Sequence, residues 1–261
     1  MLKLSDCIEP DWPAPKNVRA ILTTRAGGVS RNTANGLIAS LNLGKSAGDN
    51  AAAVAENRQR LATLIGHQPN WISLVHGTDV AVLDTATSTN NIVADAAVAR
   101  REGVVCTVTM ADCLPVLFTD VAGSVVSVAH AGWRGLAAGV LEATIATMQV
   151  PPQTLMAYLG QAIGPTQFEV GDDVRAAFQG KIVNTILDKA FQPFIVENNR
   201  KYWANIFMLA RVKLAAAGVP AAQIYGGQFC TASDATRFFS YRREGRSGQQ
   251  SGRMAALIWR E

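Results

Sequence analysis

Residues 104–148 read VVCTVTMADCLPVLFTDVAGSVVSVAHAGWRGLAAGVLEATIATM, and the fold class follows from this stretch. Val104–Thr109 and Pro115–Thr119 are short apolar runs without charge, separated by a few residues around Asp112 and Cys113. A third run, Ser124–Ala129, ends at His130. Their length and β-branched content predict buried strands. The apolar spacing then changes: Leu136, Val140, Leu141 and Ile145 share one face of a helix expected over Gly135–Met148.

On either side of it, further strands are expected at Val18–Thr24, Trp71–Val75, Val80–Leu83, Leu155–Leu159 and Met254–Trp259. Helices are expected at Asn50–Gly66, with Asp49 as N-cap and Gly66 as stop, at Asp172–Phe178 and at Trp203–Ala217. Residues 1–16 are proline-rich and read as an irregular lead-in. There is no internal repeat, no linker and no steady βαβ rhythm. The expectation is a single α+β domain over residues 1–261.

Composition narrows the function. With 49% hydrophobic and 17% charged residues in 261, the chain is neither disordered nor a coiled coil. A net charge of +4 does not call for nucleic acid and suits an anionic small molecule. Asp112 interrupts the most apolar stretch, Val104–Phe118, so no membrane span is expected. The amino terminus lacks the apolar run of a signal peptide, and Cys7, Cys106, Cys113 and Cys230 read as reduced thiols of a cytoplasmic protein.

Three motifs carry chemistry: Val75-His76-Gly77, Ala111-Asp112-Cys113-Leu114-Pro115 and His130-Ala131-Gly132-Trp133-Arg134-Gly135. Each sets a metal-capable or nucleophilic side chain at an expected strand end beside a turn. Two imidazoles and a thiolate suit zinc with a fourth position open. A Cys113 nucleophile activated by a histidine is the competing reading. His67 reads as a helix-end cap, Cys106 and Cys230 as buried thiols, and Cys7 as incidental. Arg25 and Arg134 flank glycine turns and are the expected phosphate contacts.

The segments TTRAGGVS (23–30), SLNLG (40–44), VHG (75–77), ADCLPVLFTD (111–120) and VAHAGWRGLAAGV (128–140) occur in order, followed by AIGP, FEVG, FFSYRREG and SGRMAALI. Together they resemble the bacterial family described variously as polyphenol oxidase (laccase-domain protein), purine nucleoside phosphorylase and peptidoglycan editing factor. The resemblance implies a mixed α/β/β/α sandwich and a zinc site of His76, Cys113 and His130, which copper could also occupy. It implies phosphorolysis of adenosine, inosine and methylthioadenosine, with adenosine deamination. Asp112, or Glu169, is then the expected proton shuttle of the deamination. The editing description implies a second candidate, hydrolysis of the amide in a UDP-muramyl-serine precursor. Against the family pattern, Leu74 stands for Gln, Thr166-Gln167 for a cysteine-bearing pair, and Asn205 for Asp. Three histidines in the whole chain are too few for a multicopper cluster, which disfavours the oxidase reading. Trp133 and Phe239 could stack on a base, but each reads first as a core aromatic.

Overall fold

Both faces of each central strand are buried, which is why these segments read as continuous apolar runs. The structure, a computed structural model, describes residues 2–85 and 92–261. Its five-stranded sheet has the order Cys7–Ile8, Val18–Thr23, Met254–Arg260, Val105–Met110, Pro69–Trp71. Its six-stranded sheet has the order Ile224–Gly226, Leu155–Leu159, Leu114–Asp120, Val126–Ala131, Ala96–Ala99, Val80–Val82. The central pairs are antiparallel; Leu114 faces Ala131 and Pro115 faces His130.

Side-chain alternation builds the layers. Cys106, Val108 and Met110 point inward from one sheet to meet Leu117, Val126 and Val128 of the other. On the outer face of the six-stranded sheet, Val116, Phe118 and Ala129 pack against helices through Leu136, Val140 and Leu141. On the outer face of the five-stranded sheet, Val105 and Leu257 pack with Leu61 of the helix Ala51–Ile65. The result is the expected mixed α/β/β/α sandwich.

Several boundaries differ from the sequence expectation, each for a local reason. The helix of Gly135–Met148 is two helices, Trp133–Ala138 and Val140–Met148, because Gly139 sits at φ +113° between them. Trp203 belongs to a hairpin of Phe191–Val196 and Asn199–Ala204 that turns through Glu197 and Asn198, both at positive φ. The next helix starts at Ile206, where the Asn205 side chain accepts the Met208 N–H. Asn50, not Asp49, caps Ala51–Ile65, and Asp49 instead accepts from Ser30 and Asn42. The strand expected at Trp71–Val75 runs from Pro69 to Trp71. Within the lead-in, Leu4–Asp6 is a 3-10 turn, Cys7–Ile8 pairs with Leu22 and Thr23, and Leu2 is buried.

Leu117 is fully buried between the sheets. Leu117→Ala is expected to cost about 2–5 kcal/mol, read as a lower urea midpoint with an unchanged m-value.

Candidate metal centre

Two of the segments in which the chain crosses from one sheet to the other each carry a donor. Ala111, Asp112 and Cys113 alone link Met110 to Leu114. Ile72–Asp79 links Trp71 of the five-stranded sheet to Val80 of the six-stranded one. These short crossings bend sharply: His76 has φ +61° and Asp112 φ +86°, a region ordinary residues rarely adopt. The third donor, His130, lies on the same strand face as Val126 and Val128 and so faces between the sheets near its strand end.

The ligand atoms of His76, Cys113 and His130 all lie within 4.8 Å of one another. Cys113 Sγ is 4.0 Å from His76 Nε2, and the two imidazoles meet edge to face with centroids 4.9 Å apart. His76 is exposed, Cys113 partly so, and His130 buried. Gly132 closes the cradle: a Cβ there would stand 3.0 Å from Cys113 Sγ and 3.2 Å from the His76 ring.

Asp95, fully buried, holds two of the donors. Its carboxylate lies 3.2 Å from His130 Nδ1 and accepts the N–H groups of Val75, His76 and Gly77 at 3.3, 2.8 and 2.6 Å. Its carbonyl accepts the His130 N–H at 2.7 Å. With Nδ1 donating to Asp95, Nε2 of His130 is left as its donor for a metal, the usual carboxylate–histidine–metal relay.

Electrostatics agree. Burial opposes the charge on Asp95, but His130 and the Gly77 and His76 N–H groups hold its carboxyl below the ordinary range. Burial likewise opposes ionisation of Cys113, but His130 and His76 bring the thiol down to about 6. Burial opposes protonation of His130 too, yet the Cys113 sulfur and Asp95 raise it to about 9. The donor set fits zinc or copper. Tetrahedral bonds of about 2.0–2.3 Å need a modest inward closure of the three side chains.

The trio lies at a cavity of about 620 Å3 whose wall includes Lys45, Arg58, Trp71, Tyr241 and Arg253. The other expected site residues lie elsewhere. Arg25 does not line the cavity; its guanidinium donates to Ala39 O and Ala235 O and covers the buried Phe239 ring. Arg134 is exposed over Trp133 and does not line it either. Asp112 turns its carboxylate away, accepting Thr231 Oγ1–H, Ser240 Oγ–H and the Arg242 N–H at 2.5, 3.0 and 2.6 Å. Burial raises its pKa despite these donors. Glu169 faces Arg246 at 3.5 Å. Trp133 packs against the helix layer. His67 packs on Trp259, Cys106 is core, and Cys230 Sγ accepts the Gly164 N–H. Sequence reasoning did not single out Asp95, Arg58 or Arg253. A lone carboxylate heading the apolar strand Ala96–Ala99 was the available signal for Asp95.

Residues 19–261 match the family described as multi-copper polyphenol oxidoreductase laccase. The chain belongs to this family. It is 47% identical over 252 residues to a purine nucleoside phosphorylase of Pseudomonas aeruginosa, covering 97% of each chain. It is 45% identical to purine nucleoside phosphorylase YfiH of Escherichia coli, covering 98% of this chain and 99% of the relative. The crystal structure of Neisseria meningitidis protein NMB0706 superposes with a TM-score of 0.88 at 44% identity, covering 98% of this chain and 99% of that one. YlmD of Geobacillus stearothermophilus superposes at 0.85 with 29% identity, covering 100% and 98%. In this member of the family, two of the three histidines are in the trio and the third is against Trp259.

Asp95→Asn is expected to weaken metal binding about 10- to 100-fold, measured by competition with a chelator. Metal affinity is expected to rise with pH. The metal displaces the His130 proton below about pH 9, and the Cys113 proton as well below about pH 6. A pH-independent affinity would exclude this trio as the ligand set.

Proposed function

We propose that the protein is a zinc-dependent purine nucleoside phosphorylase acting on adenosine, inosine and methylthioadenosine, with deamination of adenosine at the same site. One observation carries the reading: His76, Cys113 and His130 share a cavity whose described lining holds Lys45, Arg58 and Arg253 and no carboxylate. Such a lining favours an anionic co-substrate beside a neutral nucleoside. The volume, about 620 Å3, is in the range of small-molecule sites. The names of the relatives support the same reaction. All four cysteines are free, which supports a reducing, cytoplasmic setting. No helix among the described residues is long and apolar enough to cross a membrane.

In phosphorolysis a phosphate oxygen bonds to ribose C1′ as the C1′–N9 bond breaks. The electron pair leaves with the purine, which takes up a proton. Metal bound to the trio would supply Lewis-acid stabilisation of developing negative charge. The cationic wall holds the phosphate, and Asp95 keeps His130 and the His76 loop in fixed register. Neither Asp112 nor Glu169 lines the cavity, so neither is assigned the proton transfers. Asp112 instead accepts the N–H of Arg242, in the helix that carries Tyr241 to the wall.

The test is single-turnover product analysis on metal-quantified protein with adenosine, with and without phosphate. Adenine and ribose 1-phosphate are expected only with phosphate, in proportion to zinc. Cys113→Ala and His76→Ala are expected to lose metal and turnover together. Serine release from a UDP-muramyl-serine precursor, without purine turnover, would overturn the reading.

A further inference from the structure

We propose that Arg58 and Arg253, set by the loop Asn42–Gly44, form a two-armed clamp for a phosphate dianion on the wall of the metal cavity. The choice of inorganic phosphate as its physiological occupant rests on the phosphorolytic reading; the clamp itself rests on the following geometry.

Each guanidinium is tied to backbone carbonyls along one edge and open along another. Arg58 Nε and Nη2 both donate to Leu43 O, at 3.0 and 2.8 Å, and the group lies 3.9 Å over the Trp71 ring. Arg253 Nη1 donates to Ser251 O and Gly252 O at 2.6 and 3.1 Å. That leaves Nη1 of Arg58, and Nε and Nη2 of Arg253, without a partner among the described residues. Both side chains are partly buried, and burial lowers both pKa values, that of Arg58 to about 10. Fixed, partly desolvated guanidinium forks with free N–H groups are suited to a phosphate.

One loop sets both arms. Leu43 supplies the carbonyl that holds Arg58, and its N–H donates to Arg253 O. Asn42, fully buried, accepts the Arg253 N–H at 2.9 Å and the Gly44 N–H at 3.0 Å. The Arg253 stem lies flat on Gly44, where a Cβ would stand 2.5 Å from Arg253 Cγ. Leu41 and Leu43 anchor in the core, the Asn42 side chain accepts the Arg253 N–H, and Gly44 admits the Arg253 stem.

The experiment is isothermal titration of inorganic phosphate, and separately of adenosine 5′-monophosphate, into zinc-loaded protein without nucleoside. The variants are Arg58→Gln, Arg253→Gln, Arg253→Lys and Gly44→Ala. Zinc content and melting temperature report folding, and Arg19→Gln, at an exposed ion pair, is the charge control. Each clamp variant is expected to weaken phosphate binding about 10- to 100-fold. Gly44→Ala does so with every charge retained, Arg253→Lys does not restore binding, and Arg19→Gln leaves it unchanged. Clamp-dependent binding of the nucleotide alone would keep the clamp and assign it to a nucleoside 5′-phosphate. Equal affinities in wild type and all variants, or no binding of either anion to wild type, would overturn the clamp. Clamp-dependent phosphate binding without any purine turnover would overturn only the phosphorylase reading.

Discussion

The carboxylate of Asp95 joins a strand residue and a crossing loop at one point, and the geometry of the centre depends on it. It has no solvent exposure, so its charge persists only through the groups that face it. Those groups are His130 Nδ1 and three successive N–H groups of the His76 loop. The same contacts that stabilise the buried charge therefore fix the orientation of one imidazole and the backbone of the other. Removing the charge would leave several donors without their partner and loosen His130 and the His76 loop together.

The sandwich supplies the place for this arrangement. In two of the segments that pass between the sheets the backbone bends sharply, and His76 and Asp112 take up positive φ there. Asp112 serves the bend itself: its buried carboxylate binds Thr231, Ser240 and the N–H of Arg242. This holds Cys113 toward the histidines while its neighbour faces the opposite way. Gly132 leaves the space that any other residue would fill against the Cys113 sulfur.

Charge is divided between floor and wall of the cavity. The floor can take a divalent metal partly neutralised by one thiolate. Among the described residues, the wall carries Lys45, Arg58 and Arg253 and no carboxylate. Arg58 and Arg253, both partly desolvated, are the cations there that an anion from solution would stabilise. The multi-copper description of the family has no counterpart in the histidines of this chain: the third of them, His67, packs against Trp259.

The strands of residues 104–131, the mixed composition and the three donor residues were legible in the chain alone. Apolar runs, and a His or Cys at the end of one, are local signals, and each retains its meaning whatever surrounds it. Helix limits were less legible where one residue decided them, as Gly139 and Asn205 did. The partners of the donors were not legible, because Asp95 and His130 meet only when two strands pair. Arg25 and Arg134 looked suited to phosphate beside their glycines, yet backbone carbonyls and an aromatic ring occupy them. Arg58 and Arg253, far apart in the chain, face one cavity because the Asn42–Gly44 loop holds both. Residue chemistry is local and can be read along the chain. Which charges are left free depends on how distant segments pack, and that is settled only in three dimensions.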